Sequence, residues 1–206
     1  VQVEKISMPT TADLFLTRYN PLYGFWLADL WDLPPDLLRA RPHPQVNSIA
    51  WNLWHLTRVE DAGLNRFVAD RPQVLDDRSG PNGDWAQRMN VPWRHHGGGM
   101  TLAEVDELNA VIDLETLRAY SAAVAARTRA IVADLDQIDL DRRLEEPHLR
   151  QVLFAEGLAH QDAGGLLQNY LGWTKAQCLF NLGLTHSYQH VGEIGVIATL
   201  LGITFD

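Results

Sequence analysis

Two histidines four residues apart, His186 and His190, stand in the segment Thr185-His186-Ser187-Tyr188-Gln189-His190-Val191-Gly192-Glu193-Ile194, inside an apolar run from Ala176 to Gly202. On a helix a step of four residues is one turn plus about 40°, so both rings share a face and can converge. Zinc and similar divalent ions favour neutral imidazole nitrogen, and such a pair supplies two of the three or four ligands they need. The bland alternative is a pair of satisfied core histidines. Leu182, Leu184, Val191, Ile194, Val196 and Ile197 surround the two rings, and an unpartnered polar ring among such neighbours carries a desolvation cost. That cost favours a metal, and a further ligand must then come from elsewhere in the chain.

His55, in Trp51-Asn52-Leu53-Trp54-His55-Leu56, is the best source. Alone it reads as a hydrogen-bonded core residue; beside the pair it reads as the third ligand. His95-His96 is a weaker candidate because Gly97-Gly98-Gly99 follows it, and ligands on flexible backbone cost ordering entropy. His148 and His160 read as structural or solvated. Three histidines leave a coordination position open, the arrangement of a catalytic rather than a closed structural site. Water there becomes a hydrolytic nucleophile, and a thiol is deprotonated. The residue after His186 is Ser187, not Glu, so the general base of the zincin motif is missing. Groups that accept the imidazole N–H protons should orient the rings. Glu193, on the face of His186 and His190, is the first candidate, with Glu60 and Asn52 behind it, whereas Tyr188 points away and reads as packing.

Helices must position these residues. Phe15, Tyr19, Leu22, Trp26 and Leu30 recur at helical spacing between Thr11 and Leu33, predicting helix 1 with a kink near Asn20 ahead of Pro21. Residues 34 to 44 read as an extended connection ended by Pro44. Asn47 or Ser48 caps helix 2, which runs to about Ala69 and carries His55. Residues 70 to 100 show no period and read as a long loop, of the kind that more often covers or binds something than fills space. Thr101 and Glu104 form a capping box for a short helix to about Val111. Helix 3 follows from Asp113 to about Leu135, then an irregular segment, 136 to 174, with one or two short helices. Helix 4 spans Ala176 to Leu201 and stops at Gly202. Four long helices without an alternating strand pattern predict an all-α four-helix bundle, in which helices 2 and 4 bring His55 opposite His186 and His190.

The chain has 206 residues, a length for one domain spanning 1–206, and a formal charge of −9 from 17 basic and 26 acidic residues. Without a basic cluster, binding to a nucleic-acid backbone is not expected. Cys178 is the only cysteine, which excludes an intrachain disulfide and any Cys-rich metal site within one chain, and suits a reducing compartment. Val1-Gln2-Val3-Glu4-Lys5 does not read as a signal peptide and no run reads as a membrane span, so a cytoplasmic protein is expected.

Trp54-His55-Leu56 on a second helix, His186-x-x-x-His190 with Gly192-Glu193-Ile194 behind it, and a terminal Leu200-Leu201-Gly202 resemble the DinB/YfiT-like superfamily. The resemblance spans roughly Leu14 to Gly202. It implies an up-down-down-up four-helix bundle whose matched histidines, His55, His186 and His190, bind a divalent ion such as nickel or zinc. It also implies a thiol-dependent transferase or isomerase acting on a small molecule with mycothiol, bacillithiol or glutathione. A hydrolase on the same histidines and a non-catalytic metal-binding or stress protein are the alternatives. The family name refers to DNA-damage induction and implies no nucleic-acid chemistry. The acidic surface and broad apolar helix faces are compatible with a homodimer, as in relatives. This chain departs from the pattern in its Pro72 to Gly99 loop and in its 136 to 174 segment.

Overall fold

Thr10 opens the first helix of the computed structural model, which describes residues 8–80, 83–160 and 163–204. Its hydroxyl accepts from the Asp13 N–H while the Asp13 carboxylate accepts from the Thr10 N–H, so two otherwise unpaired donors are satisfied reciprocally. Helix α1 (Thr11–Pro21) does not run on to Leu33 as one kinked helix. Pro21 has no N–H to give the ladder and its ring crowds the preceding turn. The chain widens into a π turn, Leu22–Trp26, and then tightens into a 3₁₀ turn, Asp29–Asp32. The connection after it is not extended either, because Pro35–Arg39 forms a short helix. A proline in the first helical turn loses no hydrogen bond and brings a φ already suited to helix.

Helix α2 (Ile49–Ala62), capped by the Ser48 hydroxyl at the Trp51 N–H, is the centre of the molecule. Each of its residues is buried, the charged ones included. Such groups are tolerated only when paired, and these are. Glu60 accepts hydroxyl protons from Tyr19, Tyr23 and Thr128. Asp61 accepts the Val74 and Leu75 N–H groups and the Tyr120 hydroxyl, and Arg58 donates to Gln73 and to the Arg94 carbonyl. A π turn, Gly63–Val68, extends this helix.

Helix α3 (Leu114–Ala133) starts at the Asp113 cap. Helix α4 is assembled from Lys175–Phe180, a π turn Asn181–Thr185, and His186–Leu200, and ends at Gly202 with φ +73°. Contacts give the helix directions. Asn52 meets His190, His55 meets His186 and Gly63 meets Leu182, so α2 and α4 are antiparallel. Asp61 meets Tyr120 and Asn65 meets Arg127, so α2 and α3 run the same way, which only a long connection between them allows. Phe15 packs on Phe180 and the Tyr188 hydroxyl donates to the Arg18 carbonyl, placing α1 beside α4 in the same direction.

The long connection is not a simple loop. Residues 70 to 100 hold the turn Val74–Asp76 and the capped helix Trp85–Arg88, and they bury Val74, Leu75, Trp85, Met89, Val91, His95 and His96. Polar side chains of α2 draw their backbone in, which makes the segment part of the core rather than a cover over it. Leu102–Val111 is the short capped helix expected ahead of α3, and segment 136 to 174 contains Glu146–Arg150 and Leu166–Tyr170. Among the described residues there is no strand, only an isolated bridge between Arg143 and Thr174, and no helix long and apolar enough to cross a membrane.

Candidate metal centre

The crossing of α2 and α4 brings three imidazoles together. Ring centroids lie 4.9 Å apart for His55 and His186, 4.7 Å for His55 and His190, and 4.5 Å for His186 and His190. One nitrogen from each ring lies within 4.8 Å of the others, with His55 and His190 buried and His186 half-buried. Trp51 stacks on His55 at 4.5 Å and 17° and presents an edge to His190, which fixes the His55 ring plane.

Hydrogen bonds determine which nitrogen two of the rings offer. His55 Nδ1 meets the backbone carbonyl of His96. A carbonyl only accepts, so Nδ1 carries the proton and Nε2 keeps its lone pair. His190 Nδ1 lies 2.8 Å from Asn52 Oδ1 and 2.8 Å from Glu193 Oε2, both acceptors, which leaves its Nε2 free as well. The Asn52 amide is oriented in turn by donating to the Ser48 carbonyl at 2.9 Å. His186 Nδ1 is buried with no hydrogen-bond partner among the described residues. A buried polar atom left unpaired costs about 1–3 kcal/mol, and ligation of a cation through this nitrogen would remove that cost. The donor set therefore fits a divalent metal.

Electrostatics point the same way. Burial, then the charge each ring would present to the others, holds His55 well below the usual imidazole range. His186 is pushed down to about 3, by burial first and by His190 and His96 after it. Burial lowers His190 also, although Glu193 opposes the shift. Neutral imidazole is the form that ligates.

The expected orienting groups divide. Asn52 and Glu193 both hold His190. Glu60 does not reach the site; its carboxylate is turned to α1 and α3, where three hydroxyls occupy it. His95 and His96 lie outside the three-ring group, and their Nδ1 atoms accept from the Gly97 and Gly98 N–H groups. His148 caps the Arg66 carbonyl at 3.0 Å and His160 pairs with Glu104 at 3.2 Å. Sequence reasoning passed over the His96 carbonyl and the Trp51 ring. Helical spacing puts Trp51, four residues before His55, on the same face, whereas a backbone carbonyl leaves no signal in residue identity.

An all-helical chain in which antiparallel helices present three neutral imidazoles, two of them oriented by hydrogen bonds, belongs to the class of helical-bundle proteins with a potential divalent-metal site. The family model of the DinB superfamily matches residues 27–194, a span that contains His55, His186 and His190, and the chain belongs to that superfamily. No curated protein matches it.

Proposed function

We propose that this chain is a metal-dependent enzyme, with zinc or nickel at His55, His186 and His190, that directs a low-molecular-weight thiol such as mycothiol, bacillithiol or glutathione onto a small electrophilic substrate. The observation that carries this reading is the charge of the donor set: three neutral imidazoles, with no carboxylate or thiolate among them. A divalent ion held there would keep its full charge and act as a Lewis acid that favours an anionic, soft partner at the remaining position.

The protein's own groups supply orientation rather than acid or base. His55 and His190 are locked by their Nδ1 protons, and Trp51 prevents the His55 ring from tilting. Cys178 cannot be the thiol, since it is buried on the Lys175–Phe180 segment and burial pushes its pKa up to about 12. The nucleophile must come from outside the chain. The hydrolase alternative would place water where the thiol binds, and Glu193, a carboxylate beside the site that could assist it as a base, already accepts from His190. The non-catalytic alternative is best served by a fourth protein ligand, and the group among the described residues has three members.

Cobalt-substituted protein tests the choice. Adding mycothiol, bacillithiol or glutathione is expected to change the visible spectrum and to support conjugation to a test electrophile, with both lost in His190→Ala. Turnover of esters or amides with no spectral response to any thiol would move the assignment to a hydrolase.

A further inference from the structure

His96 stands at the edge of the centre with one polar atom unaccounted for. Its ring centroid is 5.7 Å from that of His55, and it is close enough to His186 for a charge on one to disfavour a charge on the other. Its backbone is fully engaged: the N–H donates to the Leu158 carbonyl at 3.1 Å, and the carbonyl receives the His55 Nδ1 proton. The ring is fixed as well. Nδ1 accepts the Gly98 N–H at 3.1 Å, so Nδ1 holds a lone pair and the single proton of the neutral ring sits on Nε2. That Nε2–H is buried in a residue only 5% exposed and has no acceptor among the described residues.

The arrangement excludes the simplest alternative. For His96 to ligate through Nε2, its proton would have to move to Nδ1 and face the Gly98 N–H, donor against donor. A rigid donor beside a cation site is suited to a different task, which is to bind whatever anion the cation attracts.

We propose that His96 Nε2–H is the hydrogen-bond donor to the anionic ligand, thiolate or oxyanion, that occupies the position left open by His55, His186 and His190. The inference rests on the metal reading above and adds a residue that selects and orients what binds there. His96 becomes a ligand-positioning residue, preorganised by Leu158 on its backbone and Gly98 on its ring, so that little ordering entropy remains to be lost when the anion arrives.

Two substitutions separate the nitrogens of this ring. In His96→Asn the short amide can still accept from Gly98 but cannot reach as Nε2 does; in His96→Gln the longer amide can place an N–H where Nε2 was. Azide is the probe, titrated into cobalt-substituted protein and followed in the visible spectrum, with metal content measured on the same samples. The expected result is full cobalt in both variants, azide binding about 10- to 100-fold weaker in His96→Asn, and affinity near that of the parent chain in His96→Gln. Unchanged azide affinity in His96→Asn with its cobalt intact would overturn the proposal and leave the metal reading standing. Loss of cobalt in His96→Asn would overturn it differently, by making His96 a ligand or a prop for the site. A parent chain that holds no cobalt at all would remove the metal reading itself.

Discussion

Removing one imidazole from a three-ring site leaves two, and two neutral nitrogens do not hold a divalent ion against solvent at protein concentrations. His55→Ala, His186→Ala and His190→Ala are each expected to lose most of about one metal ion per chain; undiminished metal in all three by elemental analysis would sink the site. Around the ligands the loss should be graded. The His190 Nδ1 proton is shared by Asn52 and Glu193 at equal distances of 2.8 Å, so either acceptor can hold the ring when the other is gone. Asn52→Ala and Glu193→Ala should each weaken metal binding only a few-fold, and the double variant about 10- to 100-fold, more than the product of the singles. Competition with a chromophoric chelator measures this, and simple multiplication of the two effects would show that the proton is not shared. These residues were legible in the sequence because helical spacing determines direction: Glu193 follows His190 by three residues and falls on its face. The same geometry turns Glu60 away from the site. It follows His55 by five residues, which turns it about 140° around α2 and away from the histidines.

Periodicity disclosed the helices but not how they meet. The π turns Gly63–Val68 and Asn181–Thr185 meet at Gly63 and Leu182, and no residue pattern announces such a turn. Gly63 makes the approach possible. A Cβ there would lie 2.7 Å from Leu182 Cβ, which belongs to the facing π turn and cannot swing aside as a side-chain tip could. Gly63→Ala is expected to cost about 1–3 kcal/mol in denaturant unfolding while leaving metal stoichiometry unchanged, because the crossing at His55 lies two turns away. Gly97 does a related task for the segment that carries His96. Its φ is +93°, and an added Cβ would lie 2.5 Å from the Trp54 ring, so Gly97→Ala should lower both stability and metal affinity by displacing the carbonyl that orients His55. A Gly97→Ala protein with parental metal affinity would show that this carbonyl is dispensable. The segment shows no local period because its burial is recruited by Arg58 and Asp61 of α2, partners outside the segment.

Across the whole molecule the histidines link folding, metal and acidity. His55, His95, His96, His186 and His190 all have lowered pKa values, with burial the largest cause in each; His95 falls to about 4 and His96 and His186 to about 3. In the unfolded chain the same rings ionise near 6.5. Above that value both states are neutral and the rings add no pH dependence. Below it the unfolded chain takes up protons that the folded chain refuses, so each such ring weakens the fold by roughly 1.4 kcal/mol per pH unit until its folded-state pKa is reached. The metal-free protein should therefore lose thermal stability steadily as pH falls from about 7 towards 5. Metal affinity should behave otherwise. In the folded state burial lowers the pKa of all three ligands, so protons compete for them less than for free imidazoles, and the dissociation constant should rise less steeply below about pH 6.5 than it would for exposed histidines. A site of ordinary surface histidines would lose affinity there, because each ligand would first have to give up a proton. The stabilisation conferred by a fixed excess of metal should persist through the same interval, since it depends on that constant. Melting curves with and without zinc at several pH values, together with chelator competition, test both halves. A metal affinity that falls as steeply below 6.5 as that of exposed histidines would mean that the rings titrate normally, and that their burial is not what keeps them available to the ion.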